Sequence, residues 1–126
     1  MEKIAEKIKK LIRDVPDFPK KGIIFKDITP FLLDNAVFLE TIKYLSSRYR
    51  ERGIKKVIGI EARGFIIASP LALEIGAGFV PVRKQGKLPY KTLSVTYTLE
   101  YGTDTLQIHQ DAISEGERVI IVDDVL

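Results

Sequence analysis

Cysteine and tryptophan are absent from the 126 residues, and histidine occurs once. Without cysteine there is no disulfide, no thiolate nucleophile and no cysteine-ligated metal, a usage that suits the cytosol. No apolar run approaches the roughly 20 residues a membrane helix needs, and the opening MEKIAEKIKK has no apolar signal-peptide stretch. Internal repeats, low-complexity segments and an interdomain linker are also missing. With 45% hydrophobic and 29% charged residues, the composition excludes a disordered chain. The length fits one domain able to bury about two-thirds of its surface.

The net charge of +3 is unevenly spread. Residues 1–56 carry 14 basic and 8 acidic side chains, and residues 57–126 carry 6 and 9. Four of those six bases, Arg83, Lys84, Lys87 and Lys91, fall in one stretch without an intervening acid. A scattered excess is a weak argument for nucleic acid. A short basic stretch inside an acidic half better suits a small polyanion such as a phosphorylated metabolite, and no nucleic-acid or membrane partner is expected.

Ile4, Ile8, Leu11 and Ile12 recur at helical spacing over 2–13, and the prolines of Asp14-Val15-Pro16-Asp17-Phe18-Pro19 end that helix. Gly22-Ile23-Ile24-Phe25-Lys26 reads as a short strand or arm. Thr29 is expected to cap a turn of helix with Pro30 at its first position. A longer helix is expected from Asp34, its cap, to Arg52, with Phe38, Ile42, Leu45 and Tyr49 on one face and Gly53 beyond its end. Apolar runs at 57–60 and 79–82 flank an apolar helix at 64–75, which Pro70 should kink or shorten, and which Gly76 and Gly78 end. That strand–helix–strand order implies a right-handed parallel crossover, hence an α/β fold around a parallel sheet. Beyond the basic loop 84–93, the alternation of Val95, Tyr97 and Leu99 with Ser94, Thr96 and Thr98 predicts a strand. Gly102-Thr103-Asp104 is expected to turn it back through 105–109, and a buried strand follows at 119–122. The sequence stops just after that strand and its two acids, so the strand should be uncovered on at least one face and the domain looks cut.

Ligands of open parallel sheets bind beyond the carboxyl ends of the strands. Three such ends carry chemistry: Glu61-Ala62-Arg63-Gly64, Arg83-Lys84 with its loop, and Asp123-Asp124. Each alone has a plain reading: a strand-to-helix turn with a surface ion pair, a solvated basic loop, and a solvated acidic turn. Together they suit a sugar phosphate. Arg63 and the backbone N–H groups opening the next helix would bind phosphate, with Gly64 allowing close approach. The basic loop would act as a mobile anion clamp. The two acids would accept from a ribose diol or hold water on a phosphate-bound Mg²⁺. His109, on a hairpin strand, more often faces solvent or a partner and is left out of the site.

Five motifs carry a resemblance to the type I phosphoribosyltransferase family, closely to its adenine-using members, over nearly the whole chain. They are Gly22-Ile23-Ile24-Phe25-Lys26-Asp27-Ile28-Thr29, Glu61-Ala62-Arg63-Gly64-Phe65, Val82-Arg83-Lys84-Gln85-Gly86-Lys87-Leu88-Pro89, Leu99-Glu100-Tyr101-Gly102-Thr103-Asp104 and Val122-Asp123-Asp124-Val125-Leu126. The resemblance implies transfer of ribose 5-phosphate from 5-phosphoribosyl 1-pyrophosphate (PRPP) to adenine, giving AMP and pyrophosphate, with Mg²⁺ held by substrate oxygens and water and no direct protein ligand. By matching position it implies pyrophosphate binding by Arg63, Gly64, Lys84 and Lys87, ribose or metal-water contacts from Asp123 and Asp124, and adenine contacts from Ile24, Phe25 and Lys26. Glu100 would exchange a proton with adenine N7. It further implies a cytoplasmic homodimer, an N-terminal helix and hood over 1–33, and an α/β core over 54–126 with a lid hairpin at about 84–109, within a single incomplete domain spanning 1–126.

The family's acidic strand end runs on into a loop whose amides cradle the ribose 5-phosphate. The 126 residues stop before that loop, and each lost charge-assisted hydrogen bond is worth about 1.5–3 kcal/mol. The expectation is that this polypeptide alone is inactive and poorly soluble. Other readings of the same residues are a non-catalytic regulator that binds PRPP or a nucleotide, a transferase for a 6-oxopurine, and a fragment without function. Retention of Glu100 beside the basic loop favours the enzyme over the regulator.

Overall fold

The computed structural model describes residues 3–124. Residue 2, at the expected helix start, and Val125 and Leu126, which close the last motif, lie outside the described residues. The chain forms two compact units, residues 1–44 and residues 45–126.

In the first unit, α1 (Ile4–Leu11) is followed by β1 (Arg13–Pro16), antiparallel to β2 (Ile24–Asp27). The prolines end α1 as expected, but the segment behind it is a strand. Its pairing is reinforced by Arg13, whose Nη2 lies 2.6 Å from Asp27 Oδ2 across the ladder. The next helix, α2 (Thr29–Leu33), starts one residue earlier than expected: Ile28 is its cap residue and Thr29 its first helical residue. Asp27 does the capping chemistry, accepting from the Thr29 N–H at 2.9 Å and the Thr29 hydroxyl at 2.7 Å. These donors, with Arg13, hold its carboxyl down to about 2. Phe31 stacks on Phe38 at 5.3 Å. Asp34 caps α3 (Asn35–Tyr49) as expected, accepting from the Val37 N–H at 3.1 Å.

The second unit is a mixed five-stranded sheet in the order β5-β6-β4-β3-β7. Strand β3 (Ile54–Ile60) leads through α4 (Arg63–Ile75) to β4 (Gly78–Lys84), parallel to β3. A hairpin of β5 (Thr92–Leu99) and β6 (Gly102–His109) joins β4 through β6, antiparallel, and β7 (Arg118–Val122) lies parallel to β3 on its other side. The α/β class and the parallel crossover are as the sequence implies, and the parallel core is the trio β4-β3-β7.

Helix α4 covers one face of that trio. Val57, Ala68, Leu71 and Ala72 are buried together, with Leu45, Ile54, Ile75, Ile120 and Val122 packed around them. The helix runs through Pro70 without shortening and ends at Gly76 in the left-handed conformation. Proline removes one intrahelical bond, and the buried stripe of Ala68, Leu71 and Ala72 outweighs that loss. Gly59 makes the close approach possible: a Cβ there would sit 2.9 Å from Ala68 Cβ. On the opposite face Ile58, Ile60, Val82, Leu106, Ile108 and Ile121 line an apolar trough of about 300 Å³, and Ile121 is 53% exposed.

Candidate functional site

Because β4, β3 and β7 are parallel neighbours, their carboxyl ends share one sheet edge, with adjacent strands about 4.8 Å apart. Glu61, Ala62 and Arg63 follow β3, Arg83 and Lys84 close β4, and Asp123 and Asp124 follow β7. The Glu61 N–H donates to the Val82 carbonyl at 2.9 Å, extending the β3–β4 ladder to the rim.

Every cation placed here by the sequence motifs faces a carboxylate. Arg63 Nε lies 2.8 Å from Asp124 Oδ2, bringing the first turn of α4 against the end of β7. Gly64 has a reason beyond ligand approach: a Cβ at this position would stand 2.9 Å from the Val122 carbonyl oxygen and 3.1 Å from Asp123 Oδ1. A side chain would push the helix start and the acidic strand end apart. Burial, and then the neighbouring Asp124, push the Asp123 carboxyl above its ordinary value, while Arg63 pulls it down.

Glu61 is the second node. Its Oε1 accepts from Arg83 Nε at 3.0 Å and from the Lys84 N–H at 3.2 Å, and its Oε2 accepts from Lys87 Nζ. The Lys87 ammonium is the largest cause of its lowered pKa, against the opposing effect of burial. Asp104 is the third node. It accepts from Lys84 Nζ and from the Tyr97 hydroxyl at 3.1 Å through Oδ2, and from the Thr105 N–H at 2.9 Å through Oδ1. The Lys84 bond lowers the Asp104 carboxyl and raises the Lys84 ammonium.

The hairpin projects beyond this edge. Its ladder with β4 comprises Arg83↔Gln107 and Lys84↔Leu106, while β5 and β6 stay paired out to Leu99↔Gly102. Four residues at roughly 3.3 Å each carry its end about 13 Å beyond the β4 ladder. The turn is Glu100-Tyr101, and Gly102, with φ of 100°, is already the first residue of β6. The expected turn at Gly102-Thr103-Asp104 is therefore displaced, and Asp104 lies inside β6 opposite Tyr97. Glu100 is exposed at the tip.

The three residues expected to meet adenine belong to the other compact unit. There Ile24 is exposed, Lys26 Nζ lies 2.6 Å from Asp14 Oδ1, and the Phe25 ring meets the Phe18 ring edge-on at 5.3 Å. Sequence reasoning passed over two residues that organise the rim, Glu61 and Asp104. Glu61 stood in a motif whose plain reading was an ion pair, and Asp104 in a supposed turn. Only the strand register shows which cations they meet.

Residues 32–126 match the family model described as a phosphoribosyl transferase domain. An adenine phosphoribosyltransferase from Geotalea daltonii is 61% identical over 121 residues, covering 96% of this chain and 71% of the relative. A crystal structure of adenine phosphoribosyltransferase from Thermoanaerobacter pseudethanolicus is 57% identical and superposes with a TM-score of 0.88, covering 94% of this chain and 69% of that one. The Saccharomyces cerevisiae enzyme, complexed with adenine and D-2,5-dideoxy-2,5-imino-altritol 1,6-bisphosphate, is 41% identical with a TM-score of 0.89 over 96% of this chain and 71% of that one.

Proposed function

The chain belongs to the phosphoribosyltransferase family, and from that premise we propose that its rim is part of a site for transfer of ribose 5-phosphate from PRPP to adenine, giving AMP and pyrophosphate in purine salvage, a reaction the 126 residues alone do not complete. The observation that carries this reading is the placing of Arg63, Lys84, Lys87, Asp123 and Asp124 along one sheet edge, beside a hairpin that projects beyond it. Relatives named adenine phosphoribosyltransferase support the choice of base.

Departure of pyrophosphate leaves positive charge on the ribosyl carbon and places negative charge on the leaving group. Fixed cations at that group stabilise the second change, and a projecting hairpin limits water at the first. Arg63 and the opening backbone of α4, with Gly64, bind the pyrophosphate. Lys84 and Lys87 exchange their carboxylate partners for its oxygens. Asp123 and Asp124 take the ribose hydroxyls. Glu100 holds the proton at adenine N7, and Ile24, Phe25 and Lys26 line the base, Phe25 by its ring face. The molecule works as a cytoplasmic homodimer.

Mg²⁺, when bound, neutralises pyrophosphate oxygens. Among the described residues no group of three His, Cys, Asp or Glu side chains could ligate a metal. Asp124 is engaged by Arg63 and Asp123 adjoins it, a donor set that fits a hydrated ion held mainly by substrate.

Calorimetric titration tests this reading. Mg²⁺-pyrophosphate binds the chain, and Arg63→Ala weakens it roughly ten- to hundredfold, the scale of one charge-assisted hydrogen bond. Adenine binds more tightly than hypoxanthine or guanine. A preference for either 6-oxopurine would reassign the base, and no pyrophosphate binding would contradict the proposal.

A further inference from the structure

Glu61 touches no substrate in the reaction described above, yet it accepts from three donors of the rim. Its carboxylate is 11% exposed and its two oxygens are used differently. Oε1 accepts from two donors of β4, the Arg83 guanidinium and the Lys84 backbone, the second fixed by the strand. Oε2 accepts from Lys87 Nζ, at the end of a long side chain on the loop. Lys87 remains 47% exposed, so its ammonium can leave. Other ties of the loop near this point are the Gln85 N–H to the Thr105 carbonyl at 3.2 Å, the Gly86 N–H to Gln107 Oε1 at 3.0 Å, and the Lys87 N–H to the Lys84 carbonyl at 3.4 Å.

We propose that Glu61 is a positioning residue for pyrophosphate exchange: Oε1 anchors the end of β4, while Oε2 stands in for a phosphate oxygen and holds Lys87 beside the rim until the anion arrives. The inference rests on the assignment of Lys87 to pyrophosphate made above. Two consequences follow from the geometry. An incoming phosphate oxygen competes with Oε2 for one ammonium, so Glu61 weakens pyrophosphate binding. When pyrophosphate leaves, Lys87 returns to a carboxylate already aimed at it, which speeds release and keeps the loop from drifting into solvent. A carboxylate that merely supported the fold would strengthen ligand binding, the opposite sign.

Glu61→Gln separates the two oxygens. The amide oxygen still accepts from Arg83 and the Lys84 N–H, but the amide nitrogen cannot accept from Lys87. The variant should bind Mg²⁺-pyrophosphate about three- to tenfold more tightly by calorimetry, as when one partly exposed ionic contact stops competing. Amide hydrogen exchange at Gly86 and Lys87 should accelerate in the ligand-free variant. Lys87→Met, which removes the same contact from the loop side and leaves Glu61 intact, should loosen those amides equally. In its background Glu61→Gln should no longer alter pyrophosphate affinity.

Weaker or unchanged pyrophosphate binding by Glu61→Gln would overturn the inference. So would a gain that persists without Lys87, or exchange at Gly86 and Lys87 unaltered in Lys87→Met. If the unaltered chain binds pyrophosphate and Glu61→Gln changes nothing, the role of Glu61 falls and the proposed function stands. If the unaltered chain binds none, both fall.

Discussion

Gly64 shows how narrow the tolerance of the rim is. Its missing side chain is what lets the first turn of α4 lie against Val122 and Asp123. The obstacle to a methyl group is a backbone oxygen, which cannot rotate away. Gly64→Ala should lower stability by about 1–3 kcal/mol in a thermal or urea unfolding curve, and it should weaken pyrophosphate binding because the start of α4 and the acidic end of β7, joined by the Arg63–Asp124 pair, move apart. Asp27 offers a second test. Its folded pKa of about 2 lies below the ordinary 3.8, so the folded state holds the proton less tightly than the unfolded one. The stabilisation is complete above about pH 4 and is lost as pH falls toward about 2. Asp27→Asn should destabilise the chain at neutral pH and flatten that acid limb, which unfolding midpoints measured from pH 2 to 6 would show.

Among the elements, those with dense apolar runs were legible in the sequence. The β3–α4–β4 crossover and β7 follow from Val57-Ile58, the apolar 64–75 segment, Phe79-Val80 and Val119-Ile120-Ile121-Val122, because continuous apolar runs leave no polar alternation to misread. Strand β1 was not legible. Arg13-Asp14-Val15-Pro16 has neither alternation nor strand propensity, and what makes it a strand is its partner, through the Arg13–Asp27 pair and the β2 ladder. The hairpin turn lies two residues before the expected Gly102-Thr103-Asp104, because the positive φ of Gly102 serves the residue just after the turn. The same limit applies to the rim. Strand ends and their charges could be read, but the partner of each lysine depends on register, which sets Lys84 near Asp104 and Lys87 on Glu61. Two predictions belong here. Leu71→Ala empties the centre of the α4 contact, where Leu71 is fully buried, and should cost about 2–5 kcal/mol in urea unfolding. Asp104→Asn replaces the acceptor shared by Lys84 and Tyr97 with a neutral group; amide exchange along 102–106 should quicken, with the unfolding midpoint little changed.

For the molecule as a whole, one sheet face is packed and the other open, and the two edges differ in chemistry. The amino edge gathers Arg52, Lys55 and Arg118 around a shallow depression that also holds Glu115 and Glu117. The carboxyl edge pairs each of its cations with an acid and has a hairpin projecting beyond it. The account assigns the sugar-phosphate chemistry to the second edge alone. The most direct test is a map of backbone amide chemical shifts as Mg²⁺-pyrophosphate is added to the labelled chain. Saturable shifts should concentrate at Arg63, Gly64, Lys84, Gly86, Lys87, Asp123 and Asp124, leaving Arg52, Lys55 and Arg118 in place. Shifts centred on those three instead, or a spectrum that the ligand does not change, would contradict it.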